Sequence, residues 1–154
     1  MTNRSAFLDM IAHSEIGQKL LDLTENGYRC IVGSTPTNPI LMTTYDDHPR
    51  RLIVLSPTLK STAAGRYQLL ARYYDAYKKS LGLPDFSPDS QDAIAMQQIK
   101  ERGALPDIDS GHFAIAVAKV SNIWASLPGA GYGQHENTLV SLQAAYESAG
   151  GTFA

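Results

Sequence analysis

The sequence predicts an α+β fold: a small three-stranded antiparallel sheet lobe and a larger helical lobe flanking a substrate cleft. Three observations carry that prediction. Near the N-terminus, Phe7, Leu8, Met10 and Ile11 recur at helical spacing. From Gly27 to Leu59 the chain is dense in β-formers and chain breakers. From Ser61 onward helical periodicity returns and holds to the end. Helices segregated from a small antiparallel sheet define the class, and the cleft such lobes leave is a natural ligand site.

The first helix is expected from about Ser5 to Glu15, with Asn3 or Ser5 as cap. Three strands follow, at Tyr28–Val32, Leu41–Tyr45 and Arg51–Leu55, separated by Gly33, by a loop with Pro36 and Pro39, and by Ser56-Pro57 at the end. Ser61 or Thr62 is expected to start a helix carrying Tyr67, Leu70, Tyr74, Tyr77 and Leu81. Ser87-Pro88 is a cap followed by proline at the first helical position, with Gly103 as the stop. A helix over 111–120, a turn over 121–127 and a glycine loop after Pro128 come next. The last helix is expected over 136–149, ended by Gly150-Gly151. No repeat or linker divides the chain, so residues 1–154 are read as a single domain.

Composition narrows the function. At 44% hydrophobic and 18% charged, the chain has the make-up of a folded globular domain. The net charge of -2, with only the pairs Arg50-Arg51 and Lys78-Lys79 as basic clusters, argues against a nucleic-acid partner. No apolar stretch is long enough to insert into a membrane, and the N-terminus lacks a signal peptide's apolar block. Cys30 is the one cysteine, read as a small buried hydrophobe. His13, His48, His112 and His135 show no metal-ligand spacing, so no metal or cofactor is expected.

Glu15 is the leading candidate for chemistry. At ~100° per residue, Leu8, Ile11 and Glu15 fall within an arc of ~60°, so the carboxyl lies on the face those apolar residues bury. Burial, and the negative end of the helix dipole, both favour the protonated form. Such an acid can protonate a glycosidic oxygen; the competing reading is a frayed helix end in water. In Ser61–Gln68, small residues and Gly65 would let a ligand approach the backbone, with Gln68 offering a donor and an acceptor, or the segment is simply a capped helix start. The Gly129–Gln134 loop follows no strand and has no phosphate-binding lysine, so it is read as a loop presenting Tyr132. Trp124 is read as core rather than as a sugar platform. Asp46 and Asp47 are where a second carboxylate would sit, although a solvated turn explains them as well.

Several segments together resemble the bacteriophage lambda endolysin family. They are Ala6–Met10 with Ser14-Glu15, Gly27-Tyr28, Ile31–Gly33, Asp47–Arg50, Leu59–Thr62, Gly65–Leu70, Gln97–Pro106 and Ser121–Gln134. The matches span nearly the whole chain in order. His13, Ile16–Asn26, Ser34–Thr43 and the helix over 111–120 depart from the family's pattern.

The resemblance implies a lysozyme-like fold and a phage lysis enzyme, a lytic transglycosylase. Such an enzyme cleaves the β-1,4 bond between N-acetylmuramic acid and N-acetylglucosamine and leaves a 1,6-anhydro end. The family's catalytic glutamate falls on Glu15 and its Gly-x-x-Gln pattern on Gly65 and Gln68, with Tyr132 as the tyrosine near the acid. Ser61, Tyr67, Asn122 and Gln134, from the same matching segments, complete the expected substrate-binding set. The implied partners are peptidoglycan glycan strands and a separate holin that releases the enzyme, a monomer, from the host cytoplasm to the periplasm and cell wall. Two rival readings remain at this point. One is a hydrolytic muramidase pairing Glu15 with Asp46 or Asp47; the other is a non-catalytic glycan-binding phage protein.

Overall fold

A computed structural model describes residues 2–131 and 135–154. The elements run α1 (Asn3–Ile16), α2 (Gln18–Leu23), β1 (Ile53–Ser56), β2 (Leu59–Ser61), α3 (Ala71–Leu81), α4 (Pro88–Glu101), α5 (Leu105–Asp109), α6 (Phe113–Val120) and α7 (Leu139–Ser148). This is the expected α+β class. Among the described residues, no helix is long and apolar enough to cross a membrane.

The chain forms two compact units. One joins the segment up to Glu15 with Ala95–Ala154, so it is built from both ends of the sequence. Its core gathers Phe7, Met10 and Ile11 of α1 with Ile108, Phe113, Val117, Trp124, Leu142 and Tyr146. Phe113 packs on Phe7 edge-on at 6.0 Å and on Tyr146 at 4.6 Å between ring centroids. Trp124, 2% exposed, is core as expected. α1 starts with a reciprocal cap: Ser5 N–H donates to Thr2 Oγ1 and Thr2 N–H donates to Ser5 Oγ, both at 3.1 Å. Asn3 is therefore not the cap. Its side chain instead accepts from Thr152 N–H at 3.0 Å and donates to the Ile108 carbonyl at 3.1 Å, tying both ends of the chain to α5. Gly111 completes that tie: a Cβ there would lie 2.5 Å from Ala154 N, the group that donates to Gly111 O.

The second unit, Ile16–Ile94, is centred on Ile31, Met42, Ala64, Leu69, Tyr74, Phe86 and Ile94. Its regular sheet has two antiparallel strands, β1 and β2, rather than three. The expected strands at 28–32 and 41–45 reduce to single bridges, Cys30 with Leu41 and Ile31 with Ala64. Their side chains are core, but tight turns consume the backbone groups a longer ladder needs: Cys30 N–H bonds Gly27 O, and Ser34 N–H bonds Ile31 O. α2 lies where no element was assigned.

The helix expected from Ser61 begins at Ala71 instead. Ala64 and Leu69 exchange both backbone hydrogen bonds, at 3.1 and 2.9 Å, which closes a turn with Gly65 at φ 84° and Gln68 at φ 52°. Thr62 does act as a cap, but from a distance: its Oγ1 accepts from Ala71 N–H. α4 starts and stops as expected at Ser87-Pro88 and before Gly103. α7 starts later than expected because Thr138 caps it, accepting from Ser141 N–H.

Candidate active site

In the unit built from both chain ends, Glu15 sits in the last turn of α1. Ser126 Oγ donates to its Oε2 at 2.5 Å. Burial of the carboxyl pushes its pKa from 4.5 up to about 7, while the side chain and backbone of Ser126 pull it part of the way back. No neighbouring charge enters that balance. Behind Ser126 lie two more polar residues. Ser14 Oγ is 2.8 Å from Ser126 Oγ, and Asn137 Nδ2 donates to Ser14 O at 3.1 Å and to Ser14 Oγ at 3.0 Å. Asn137 N–H also donates to Ser126 O at 2.7 Å, pinning the chain around Ser126 from both sides. A group protonated near neutrality, held by hydroxyls and amides and not by a second carboxylate, is equipped to give and retake a proton.

Sequence reasoning missed Ser14, Ser126 and Asn137. Ser126 lies 111 residues from Glu15 and Asn137 lies 123 from Ser14, and no local pattern marks them. The one signal was adjacency, since Ser14 precedes Glu15.

The glycine loop uses its backbone donors internally. Gly129 and Gly131 N–H groups both donate to the Glu136 carboxylate, at 3.1 Å each. Tyr132 and Gln134 lie outside the described residues. Asn122 is exposed, and its Oδ1 accepts from Arg102 Nε at 3.2 Å.

In the second unit, Gln68 donates both amide hydrogens to backbone carbonyls, Gly65 O at 2.8 Å and Cys30 O at 3.3 Å. No described residue donates to its Oε1, so Gln68 offers an acceptor and not the donor–acceptor pair expected from sequence. Gly65 also has a different purpose from the one expected. A Cβ there would lie 2.4 Å from Gln91 Oε1 and 3.0 Å from Phe86, so the glycine admits the protein's own side chains rather than a ligand. Gln91 is buried and fixes this turn by accepting from Arg66 N–H and donating to Tyr28 O and Phe86 O. Tyr67 is 5% exposed, and its hydroxyl is engaged within the protein: it donates to Asp92 at 2.6 Å and accepts from Arg66. Ser61 is half-buried, and its Oγ accepts from Ala63 N–H.

Asp46 and Asp47 are exposed. Asp47 pairs with Arg50 at 3.0 Å, which holds its carboxyl below the usual range, and Arg50 also pairs with Asp75. This is a surface ion cluster supporting the turn at His48.

The Endolysin family model matches residues 5–153. The endolysin of Escherichia phage lambda is 60% identical over 150 residues, covering 97% of this chain and 92% of that protein. The endolysin of Escherichia phage P2 is 50% identical over 155 residues, covering 97% and 93%. The structure of bacteriophage lambda lysozyme complexed with a chitohexasaccharide superposes with a TM-score of 0.90 at 57% identity, covering 99% of this chain and 96% of that one.

Proposed function

Because this chain belongs to the Endolysin family and is a lysozyme-like enzyme of phage cell-wall lysis, we propose that its reaction is lytic transglycosylation of peptidoglycan with Glu15 as the acid/base. The carrying observation is a carboxyl with pKa raised to about 7 whose hydrogen-bonded surroundings are Ser126, Ser14 and Asn137, with no second carboxylate among them.

Protonated Glu15 donates to the oxygen of the β-1,4 bond between N-acetylmuramic acid and N-acetylglucosamine as that bond breaks. The positive charge at the anomeric carbon is met by the N-acetyl oxygen of the same sugar. The Glu15 carboxylate then removes the proton of the C6 hydroxyl, and that oxygen bonds to the anomeric carbon. One glycosidic bond is exchanged for the anhydro ring, Glu15 recovers its proton and no water is consumed. The nucleophile belongs to the sugar being cut, which gives it a high effective concentration. Gln68 accepts through Oε1 from a sugar hydroxyl or N-acetyl N–H. Asn122, Tyr132 and Gln134 remain proposed glycan contacts, whereas Gly65, Tyr67 and Ser61 support the backbone that carries Gln68. The chitohexasaccharide bound by the lambda lysozyme supports a polysaccharide substrate of N-acetylated sugars. We place the enzyme, a monomer, in the host cytoplasm until a separate holin releases it to the cell wall.

Mass spectrometry of muropeptides released from purified sacculi tests the reaction. The expected products are one water lighter than hydrolytic ones and lack a reducing end. Reducing ends on the muramic acid would reject transglycosylation and return the hydrolytic reading with Asp46 or Asp47.

A further inference from the structure

We propose that Asn137, acting through Ser14 and Ser126, determines which oxygen of Glu15 carries the transferred proton, reserving Oε1 for the substrate. The inference rests on the reading of Glu15 as the acid/base.

Two serine hydroxyls in contact leave the direction of their hydrogen bonds open, because either can donate. Asn137 removes that freedom. Its Nδ2 faces the Ser14 carbonyl at 3.1 Å, and a carbonyl can only accept. A flipped amide would set two oxygens against each other, so nitrogen must stand there. The same nitrogen also donates to Ser14 Oγ at 3.0 Å. The hydrogen of Ser14 is thereby turned to Ser126 Oγ, and the single hydrogen of Ser126 is turned to Glu15 Oε2. The chain runs one way, from amide to hydroxyl to hydroxyl to carboxyl.

A proton on Oε2 would face the Ser126 hydrogen head-on. Relieving that conflict would mean reversing both hydroxyls, and the last of them would then point at the Asn137 amide, itself a donor. The acid's proton therefore resides on Oε1. Proton donation to the glycosidic oxygen and recovery from the C6 hydroxyl both use that one oxygen, with no rotation of the carboxyl between steps. Asn137 and Ser14 are positioning residues. Among the described residues, the other ionisable groups on α1 and on 121–138 are Arg4, Asp9, His13, His135 and Glu136. Glu136 is turned to Gly129 and Gly131, and no charge enters the Glu15 balance.

Asn137→Ala frees the hydroxyls to reverse and lets the proton occupy Oε2. The expected result is a roughly tenfold fall in kcat with KM unchanged. The alkaline limb of the pH–kcat profile should move upward, because the protonated form gains a second arrangement. Ser126→Ala removes the donor while leaving Asn137 clamped to Ser14, and should move that limb further, by about one pH unit. The infrared carbonyl stretch of protonated Glu15, read as a difference against Glu15→Gln at pH 5, gives an independent signature. It should rise in both variants as Oε2 loses its fixed donor. An unshifted alkaline limb and carbonyl band in Asn137→Ala, with activity falling only in step with melting temperature, would overturn the proposal and leave Asn137 a loop fastener. Lysis by Glu15→Gln would instead overturn the acid/base reading, which separates the two failures.

Discussion

Two carboxyl groups, one in each unit, show how surroundings divide labour between identical chemistry. Asp92 receives the hydroxyls of Tyr28 at 2.9 Å and Tyr67 at 2.6 Å. Behind Tyr67 stands the buried Arg66, which donates to the Tyr67 oxygen at 2.9 Å and to Asn26 O, and stacks on both tyrosine rings. Burial and the Asp92 charge push the Tyr28 pKa up to about 12, so that hydroxyl stays a donor. Among the described residues, Glu15 has one side-chain donor, Ser126, and burial outweighs it. The first carboxylate is secured by several donors with a guanidinium behind them and acts as a pin for the turn bearing Gln68. The second is desolvated by burial beyond what Ser126 offsets, and its hold on a proton near neutral pH follows from that.

The comparison can be broken most decisively at Glu15 itself. Glu15→Gln should lower the lysis rate of permeabilised cells by ~10²–10⁴-fold, the scale of acid/base catalysis, while glycan binding persists. Retention of more than a few per cent of activity would place the chemistry elsewhere. Asp92→Ala should act on stability instead. Leaving the Tyr28 and Tyr67 hydroxyls without their acceptor costs about 2 kcal/mol, read as a lower urea midpoint, whereas the folded fraction keeps its product pattern.

A third test uses the same Glu15→Gln protein in thermal or urea melts across pH. The folded pKa of Glu15, about 7, lies above its ordinary 4.5, so the folded state holds the proton more tightly. The stability this confers is complete below about 4.5 and is lost as pH rises through about 7. The variant should therefore match wild type at pH 4 and exceed it at pH 8, by at most about 3 kcal/mol. An equal difference at both pH values would mean that the carboxyl is not desolvated.

The smallest expected effect has the opposite sign and comes from His48, buried against Tyr74 and Phe86. Its Nε2 faces Leu69 O and its Nδ1 accepts from Arg50 N–H, an arrangement that requires the neutral ring. Burial, first among the causes, lowers its pKa below 6.5. The stability tied to neutral His48 is present above about 6.5 and lost as pH falls through the lowered value. His48→Gln should flatten the acid side of the stability–pH curve; an unchanged slope there would assign it to other groups.

Sequence made the acid legible and its setting illegible, for identifiable reasons. Periodicity put Glu15 beside Leu8 and Ile11 because α1 is a regular helix whose core contacts repeat every three or four residues. Cap chemistry placed α4 because Ser87, Pro88 and Gly103 act within a few residues of the ends they define. The turn at Ser61–Leu70 was misread as helix because its geometry is imposed from outside: Gly65 N–H bonds Cys30 O, and Gln91 reaches in from α4. Propensity yields to such tertiary pairing. The strands around Cys30 and Leu41 failed for a related reason, since an apolar run reports burial and not how many partners its backbone finds. Ser126 and Asn137 reach Glu15 only through the fold.

That the Glu15 unit draws on both chain ends has a consequence for synthesis. A nascent chain that has emerged only as far as α4 carries the glutamate but neither Ser126 nor Asn137, and lacks Thr152 and Ala154, which fasten the ends at Asn3 and Gly111. The acid's surroundings can assemble only after the segment through Asn137 has emerged, so shorter nascent fragments carry no assembled acid site.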